Sequence, residues 1–209
     1  GNDSDGKISQ WSDLKGKTVN VMAKGMTPDL LFRYLLKQHN LQPDKDVILD
    51  YSFPTHINLA NAVTAGRAQY GIITEPYASM VEQHNSSVHS ILDLSAEWKK
   101  VQGAPIAETA LLCKKELVKT HPELVKRVIE QYTRSTNWVN ANPQAAAKLI
   151  VKYDILPDPT AALNAIPRTN LKVVDARNCK NDVTRYLQVF YNIDPQTVGG
   201  KMPDEKFIY

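Results

Sequence analysis

Residues 17–30 read KTVNVMAKGMTPDL and combine a strand pattern with the start of a helix. The β-branched first half predicts a buried strand that ends before Gly25. Thr27 is a candidate N-cap, Pro28 suits the first helical position, and Asp29 is favourable near the positive end of the helix dipole. A strand that passes directly into a helix is the repeating unit of a parallel α/β sheet.

The same strand-to-helix unit recurs twice further along the chain. Strands are predicted at 47–53 and 70–74, and helices follow at 57–65 and 76–84. Parallel strands joined by right-handed crossovers place their strand-to-helix turns at one edge of the sheet, where ligands bind. The sequence therefore predicts a mainly parallel α/β sheet whose three turns converge.

The second half of the sequence is mostly helical. Amphipathic patterns predict helices that begin near Thr120, Asn142 and Asp158, and a last helix around 183–190. The letters THPE at 120–123 fit a capping box. Extended runs are short and are limited to 109–113 and 171–174. These helices have no sheet of their own to cover, so we expect that the partner surface for their apolar stripes is missing.

The composition excludes several classes of protein. Lys and Arg number 25 against 22 Asp and Glu, and the net charge of +3 is too small for a strongly basic nucleic-acid surface. The longest uncharged stretch, 51–66, contains Pro54 and His56, which a bilayer core would reject. Cys113 and Cys179 lack the spacing of metal ligands and are expected to be buried free thiols, with one long-range disulfide as the alternative.

The sequence lacks the familiar catalytic motifs of serine hydrolases, phosphate-binding loops, dinucleotide-binding turns and zinc proteases. His56, at the second turn, is the histidine that is placed to meet a ligand. Glu75 and Glu108 each have two interpretations. Glu75 is either a carboxylate at a helix N-terminus or an acceptor for a ligand amine or ring N–H. Glu108 is either a solvated loop carboxylate or a second acceptor of the same kind. The turn at 25–27 would attract an anion. A ligand that carries both an anionic group and an amine or ring N–H would satisfy both the turn and the two carboxylates.

Short segments spread along the chain carry a resemblance to a known family. They are 13–19 (DLKGKTV), 24–29 (KGMTPD), 41–47 (LQPDKDV), 74–77 (TEPY), 140–143 (NANP), 165–168 (AIPR) and 198–203 (VGGKMP). In order and spacing they resemble solute-binding proteins of the nitrate/sulfonate/bicarbonate transporter class, which includes taurine-like and thiamine-pyrimidine-like binders.

The resemblance implies a type II periplasmic-binding fold, in which two α/β lobes close on a ligand about a hinge. Residues 1–10 would be a flexible start, 11–103 lobe two, 104–109 the return through the hinge, and 110–209 the helix-rich C-terminal half of lobe one. The first third of the family's chain, which founds lobe one, is expected to be absent from this sequence.

The resemblance also implies ligand contacts at the three turns and at the hinge. These are Gly25, Met26, Thr27, Thr55, His56, Glu75, Tyr77, Glu108 and Thr109. The implied function is capture of a small polar, anionic or zwitterionic metabolite of sulfonate, nitrate or pyrimidine type for the membrane permease of an ABC importer. No catalytic residue, cofactor or metal is implied. The protein would be exported, as a periplasmic protein or a membrane-anchored lipoprotein, and a homodimer is an option for covering the incomplete lobe.

An enzyme on the same fold is the alternative. The fold resembles thiamine-pyrimidine synthases and menaquinone-pathway dehydratases, in which the bound compound reacts. A pyrimidine synthase would require a carbon-donating histidine with iron-binding residues nearby, and here His56 stands alone. The effector domain of a transcription regulator would require a helix-turn-helix module, which this sequence lacks.

Overall fold

The structure, a computed structural model, describes residues 1–2, 8–204 and 207. The chain divides into two compact units, of which the first is Gly1–Ile106 with Lys180–Tyr209 and the second is Ala107–Cys179. Half of the predicted flexible start at 1–10 falls on residues 3–7, outside the described residues. The predicted boundaries of the lobes, at 11–103, 104–109 and 110–209, stay predictions.

The described part of the first unit is built on three strands, β1 (Thr18–Val21), β2 (Ile48–Asp50) and β3 (Gly71–Ile72). They pair in parallel in the order β2–β1–β3, with Val19 opposite Leu49 and Val21 opposite Ile72. The predicted parallel sheet is confirmed.

The helices connect and cover these strands. In chain order they are α1 (Thr27–Gln38), α2 (His56–Thr64), α3 (Tyr77–His84), α4 (Leu94–Gln102), α5 (Lys115–Thr120), α6 (Pro122–Ala141), α7 (Pro143–Lys152), α8 (Pro159–Arg168) and α9 (Lys180–Ile193). Short 3-10 helices lie at Trp11–Leu14, Ala176–Asn178 and Pro195–Val198. None of the helices in the described part of the chain is long and apolar enough to cross a membrane.

Helices cover both faces of the sheet, as a parallel sheet requires. Because side chains alternate along a strand, Val19 and Val21 point to one face, where they join a cluster with α1 and α4. The members of that cluster include Leu49 from the sheet, Phe32, Leu35 and Leu36 from α1, and Trp98 from α4. On the other face, Leu59 and Val63 of α2 pack with Val81 of α3.

Helix α9 completes the surroundings of Trp98 within the first unit. The Tyr186 ring meets the Trp98 ring edge-on at 5.4 Å, and Phe190 lies 4.7 Å from Tyr186. Arg185 Nη1 donates to the Gln102 carbonyl at 3.2 Å, at the end of α4. Helix α9 therefore packs on the same core cluster as α1 and α4.

Helix α4 is a region that looks merely polar in sequence. The Asp93 carboxylate caps it by accepting from the Ser95 and Ala96 N–H groups at 2.9 and 3.1 Å. Gly103 ends it with φ of +72°, as a left-handed C-cap. Trp98 is 2% exposed, and the half-buried Leu94 and Val101 pack against the same core cluster. Three apolar side chains thus anchor a helix whose other residues are mostly polar.

The capping box predicted at 120–123 is wrong. The N-cap of α6 is His121, and it makes no side-chain cap. Thr120 belongs to α5 instead, and its hydroxyl donates to the Glu116 carbonyl at 2.9 Å. The helix start predicted at Asp158 is confirmed: Asp158 is the N-cap of α8, and its carboxylate accepts from the Thr160 N–H at 2.7 Å. The extended runs predicted at 109–113 and 171–174 are irregular and form no strand.

The second unit leaves an apolar stripe uncovered. Helix α6 has no buried residue, and Leu124, Val128 and Tyr132, spaced four apart, are 49%, 48% and 55% exposed. By contrast, α7 and α8 bury Ala146 and Ile166 against each other. The exposure of α6 agrees with the predicted lack of a covering surface, which stays a prediction. Pairing with a second copy stays a prediction.

Both cysteines are free thiols, but the prediction that they are buried is wrong. Cys113 is exposed and Cys179 is partly exposed. Cys113 ends the irregular run 109–113, which packs into none of the apolar clusters of the described residues. The alternative of a disulfide between them is also wrong.

We predict that Leu35→Ala lowers the free energy of unfolding of the first unit by about 2–5 kcal/mol, because Leu35 is 0% exposed and its removal leaves a cavity. Ile57→Ala, in α2 of the same unit, is the control, since Ile57 is 43% exposed. The control should change stability by no more than about 0.5 kcal/mol. Urea unfolding followed by tryptophan fluorescence, to which the buried Trp11 and Trp98 of this unit contribute, measures both variants. Equal losses would contradict the assignment of the core.

Candidate functional site

The carboxyl edge of the parallel sheet is the candidate site. Strands β1, β2 and β3 each run into a turn and then a helix, so the turns before α1, α2 and α3 lie at this edge. Seven of the nine predicted contact residues belong to these turns or to the first residues of the helices. The other two, Glu108 and Thr109, are exposed and belong to the second unit.

The first turn carries Gly25, Met26 and Thr27. Helix α1 begins at Thr27 with Met26 as its N-cap, so the prediction of Thr27 as N-cap is wrong by one residue. The side chain that serves this turn comes from inside the helix, because Asp29 Oδ2 accepts from the Gly25 N–H at 2.7 Å. Met26 is left 60% exposed at the edge.

Asp29 is buried and fully engaged. Its side chain is 2% exposed, and Oδ1 accepts from the Tyr51 hydroxyl at 2.7 Å and from Arg33 Nε at 2.8 Å. Arg33 reaches further, donating through Nη2 to the Tyr51 oxygen and through Nη1 to Asp44, both at 2.8 Å. A buried carboxylate requires this kind of charged and hydrogen-bonded pairing, because isolated burial is costly. We call Gly25, Asp29, Arg33 and Tyr51 the Asp29 cluster.

The cluster shifts the protonation of its members. Burial, followed by the hydrogen bond to Asp29, raises the pKa of Tyr51 to about 12. Burial alone would lower the pKa of Arg33, but hydrogen bonds to Asp44, Tyr51 and Asp29 outweigh it and raise that pKa. Tyr51 therefore remains a donor to Asp29 throughout the physiological range.

The second and third turns meet in a pair of rings. Thr55 caps α2 by accepting from the Asn58 N–H at 3.2 Å, and His56 follows as the first residue of that helix. The His56 ring is nearly parallel to the Tyr77 ring, at 3°, with ring centres 5.6 Å apart. Thr74 Oγ1 lies 3.3 Å from His56 Nδ1 and orients the imidazole. The structure thus brings together side chains that follow two different strands.

Glu75 lies where it serves the start of α3. Its Oε2 accepts from the Ser79 N–H at 3.2 Å, which agrees with the helix-terminal interpretation. A ligand contact for Glu75 stays a prediction, as it does for the other eight residues. Within residues 1–2, 8–204 and 207, no group of three or more His, Cys, Asp or Glu side chains is placed to hold a metal ion.

Sequence reasoning missed the side chains that fix the first turn. Asp29 and Arg33 stand at i and i+4, a spacing that predicts an ion pair on a helix. Tyr51 gives no such signal, because it is 22 positions from Asp29 in the sequence and only the pairing of the strands brings the two side chains together. The contact of Lys24 with the Tyr51 ring was also missed; its Nζ lies 5.4 Å from the ring centre.

Residues 2–146 match the model of the family described as NMT1/THI5 like. The chain belongs to this family. A curated relative is YtlA of Bacillus subtilis (strain 168), whose name describes it as a binding protein. It is 26% identical over 129 residues, which are 62% of this chain and 36% of YtlA. The match thus spans about a third of the length of that relative.

Two solved structures are similar over the whole of this NMT1/THI5-like chain. One, a crystal structure described as an ABC transporter from Parabacteroides distasonis, has a TM-score of 0.82 and 22% identity, and 68% of its chain is covered. The other, the periplasmic aliphatic sulphonate binding protein SsuA from Escherichia coli, has a TM-score of 0.72 and 17% identity, with 67% covered. The predicted fold class is confirmed.

We predict that the stabilisation of the fold by the Tyr51 hydroxyl is lost between pH 10 and 12. Its pKa rises from 10.0 to about 12 on folding, so its contribution is complete below pH 10 and is lost as pH rises through 12. The measurement is urea unfolding of the wild type and of Tyr51→Phe from pH 9 to 12. The stability difference between them should shrink over that range.

Tyr153→Phe is the control for this titration, because Tyr153 is 66% exposed. Substituting so exposed a side chain should change the free energy of unfolding by no more than about 0.5 kcal/mol. A Tyr51→Phe difference that stays constant from pH 9 to 12 would contradict the role of the hydroxyl as a donor to Asp29.

Proposed function

We propose that this chain is part of a solute-binding protein that captures a small polar, anionic or zwitterionic metabolite for the permease of an ABC importer. The observation that carries the proposal is the carboxyl edge of the sheet, where α1 begins beside exposed Met26 and the His56–Tyr77 rings lie half-buried. Helix N-termini attract anions, and aromatic rings supply an apolar wall that orients a small ligand. Membership of a family with relatives named as binding proteins supports the same function.

The proposed contacts divide the ligand into two ends. The Gly25 N–H is already bonded to Asp29, so we expect an anionic group at this turn to use Thr27, with Gly25 allowing close approach. Thr55, His56 and Tyr77 would line the middle of the ligand. Glu75 would accept from an amine or ring N–H, and Glu108 and Thr109 are further proposed contacts, carried over from the family resemblance.

Sulfonates are the first candidates among the proposed ligands, with nitrate and pyrimidines after them. The support is the similar fold of SsuA, which is named as a periplasmic aliphatic sulphonate binding protein. The same likeness supports export to the periplasm, as a free protein or a lipoprotein, and a membrane permease as partner.

An enzyme on this fold remains the second candidate because of His56. A thiamine-pyrimidine synthase-like reaction would need an imidazole at the ligand edge, and a menaquinone-pathway dehydratase-like reaction is the other form of this alternative. Here the imidazole is stacked on Tyr77 and oriented by Thr74, which favours a binding surface over a reacting group.

We predict that one compound of a small panel raises the melting temperature without being consumed. The panel is taurine, ethanesulfonate, nitrate and a hydroxymethyl-aminopyrimidine, each tested by thermal unfolding and by NMR of the compound. Binding at about 100 times Kd adds about 2.7 kcal/mol of stability, or about 5–10 °C for a chain of this size.

The matched control for this measurement is a pair of histidine substitutions. His56→Ala should abolish the shift, whereas His84→Ala, at the exposed end of α3, should retain it. Conversion of the compound during incubation would contradict the receptor and favour the enzyme. A panel that gives no shift would contradict the proposed ligand classes.

We predict that Glu75 selects for an amine on the ligand. Taurine and ethanesulfonate differ only by that amine, so Glu75→Gln should reduce the preference for taurine by about tenfold, the value of one charged hydrogen bond. Calorimetric titration of both compounds measures the preference. Glu75→Gln keeps an oxygen acceptor for the Ser79 N–H, which separates ligand binding from the helix cap. An unchanged preference would leave Glu75 with the capping role alone.

A further inference from the structure

We propose that Asp29 and Tyr51 are positioning residues of the candidate site, which hold the turn between β1 and α1 in the conformation that receives a ligand. Neither residue is among the predicted contacts. The inference rests on the proposed function for the statement that the turn meets a ligand, but the effect of the two residues on the turn is testable without one.

The backbone of this turn adopts a conformation that needs support. Ala23 has φ of +51° and Gly25 has φ of +80°, so two residues of the turn are left-handed. The left-handed region is unfavourable for alanine, and such residues persist where the surrounding structure holds them. At Gly25 a Cβ would meet nothing within 4 Å, so the backbone conformation, not the available space, is what favours glycine there.

The Asp29 carboxylate supplies the support from beneath the turn. One oxygen accepts from the Gly25 N–H at 2.7 Å, and the other is held by the Tyr51 hydroxyl and Arg33 Nε. Because the side chain is 2% exposed, water does not compete for these bonds. Arg33 places a positive charge 2.8 Å from the carboxylate, which offsets the cost of burying it.

Tyr51 extends the support to a second turn of the edge. It directly follows β2, which ends at Asp50, so its hydroxyl joins the end of β2 to a turn that follows β1. Lys24, in the same turn, lies over the Tyr51 ring at 5.4 Å. Two of the three turns that form the candidate site are therefore fixed relative to each other by one side chain.

The consequence for binding is preorganisation. A turn that is already ordered spares the ligand the cost of ordering it, and that saving increases affinity. The role is distinct from direct contact, because the Gly25 N–H is given to Asp29 and the Tyr51 hydroxyl lies between Asp29 and Arg33. Loss of the Tyr51 hydroxyl should therefore increase the mobility of the turn and leave the core unchanged.

The test is amide hydrogen exchange in the 209-residue chain, in the wild type and in Tyr51→Phe. We expect exchange in residues 22–27 to rise about fivefold, the effect of one hydrogen bond, with no change in α2 and α3. Tyr34→Phe is the matched control, since Tyr34 lies on α1 and accepts a hydrogen bond from Gln102 instead. That variant should leave residues 22–27 unchanged.

Two results would overturn the inference. One is unchanged exchange at 22–27 in Tyr51→Phe, and the other is an equal rise throughout the first unit, which would mean a general structural role. Asp29→Asn is a second variant with the same expectation at 22–27, and Tyr51→Phe carries the test if Asp29→Asn does not fold.

A binding measurement with taurine separates the turn from the proposed function. If the wild type binds taurine, Tyr51→Phe should weaken binding about fivefold and Tyr34→Phe should not. Equal affinity of Tyr51→Phe and the wild type would overturn the positioning role. If the wild type does not bind taurine, the proposal of that ligand fails, while the exchange at 22–27 still decides whether Asp29 and Tyr51 hold the turn.

Discussion

Strand β1 pairs with a parallel neighbour on each side, and much of the first unit depends on that pairing. Parallel neighbours cannot be joined by a tight hairpin, so the chain must cross over a face of the sheet through a helix each time. The two crossovers bring α1 and α2 to opposite faces and bury Val19 and Val21 on one of them. The same geometry sends every strand-to-helix turn to one edge, so the location of the candidate site follows from the pairing.

The conformation of the carboxyl edge of the sheet depends on a buried charged group and its partners. A carboxylate as deeply buried as Asp29 would be expensive alone, and it is retained because Arg33, Tyr51 and the Gly25 N–H satisfy its oxygens. This arrangement gives up one backbone donor at the start of α1. In return the turn has a defined shape, and Met26 stays exposed above it. The polar groups of the Asp29 cluster thus lie beneath the surface and support the turn, whereas the apolar Met26 side chain lies on the surface.

Most of the first unit could be predicted because its signals are local. The β-branched run at 17–23 and the proline at position 28 act over a few residues, and the strand and helix they predict are present. The convergence of His56 and Tyr77 also followed, since it depends only on parallel topology. What could not be predicted depends on distant partners: Asp29 meets Tyr51 across 22 positions, and α4 is fixed by Trp98 against α1 and α9. Thr120 was predicted to cap the helix that follows it, but its hydroxyl donates to the Glu116 carbonyl in the preceding helix, α5.

The order of the chain through its two units has a consequence for synthesis. The sheet, α1 and α4 leave the ribosome first, then the whole of Ala107–Cys179, and only afterwards the helix that carries Tyr186. Until that helix arrives, the face of Trp98 that Tyr186 covers is open to solvent. The core of the first unit is therefore completed only after the second unit has been translated, and during that interval the exposed face of Trp98 is a surface on which aggregation can begin.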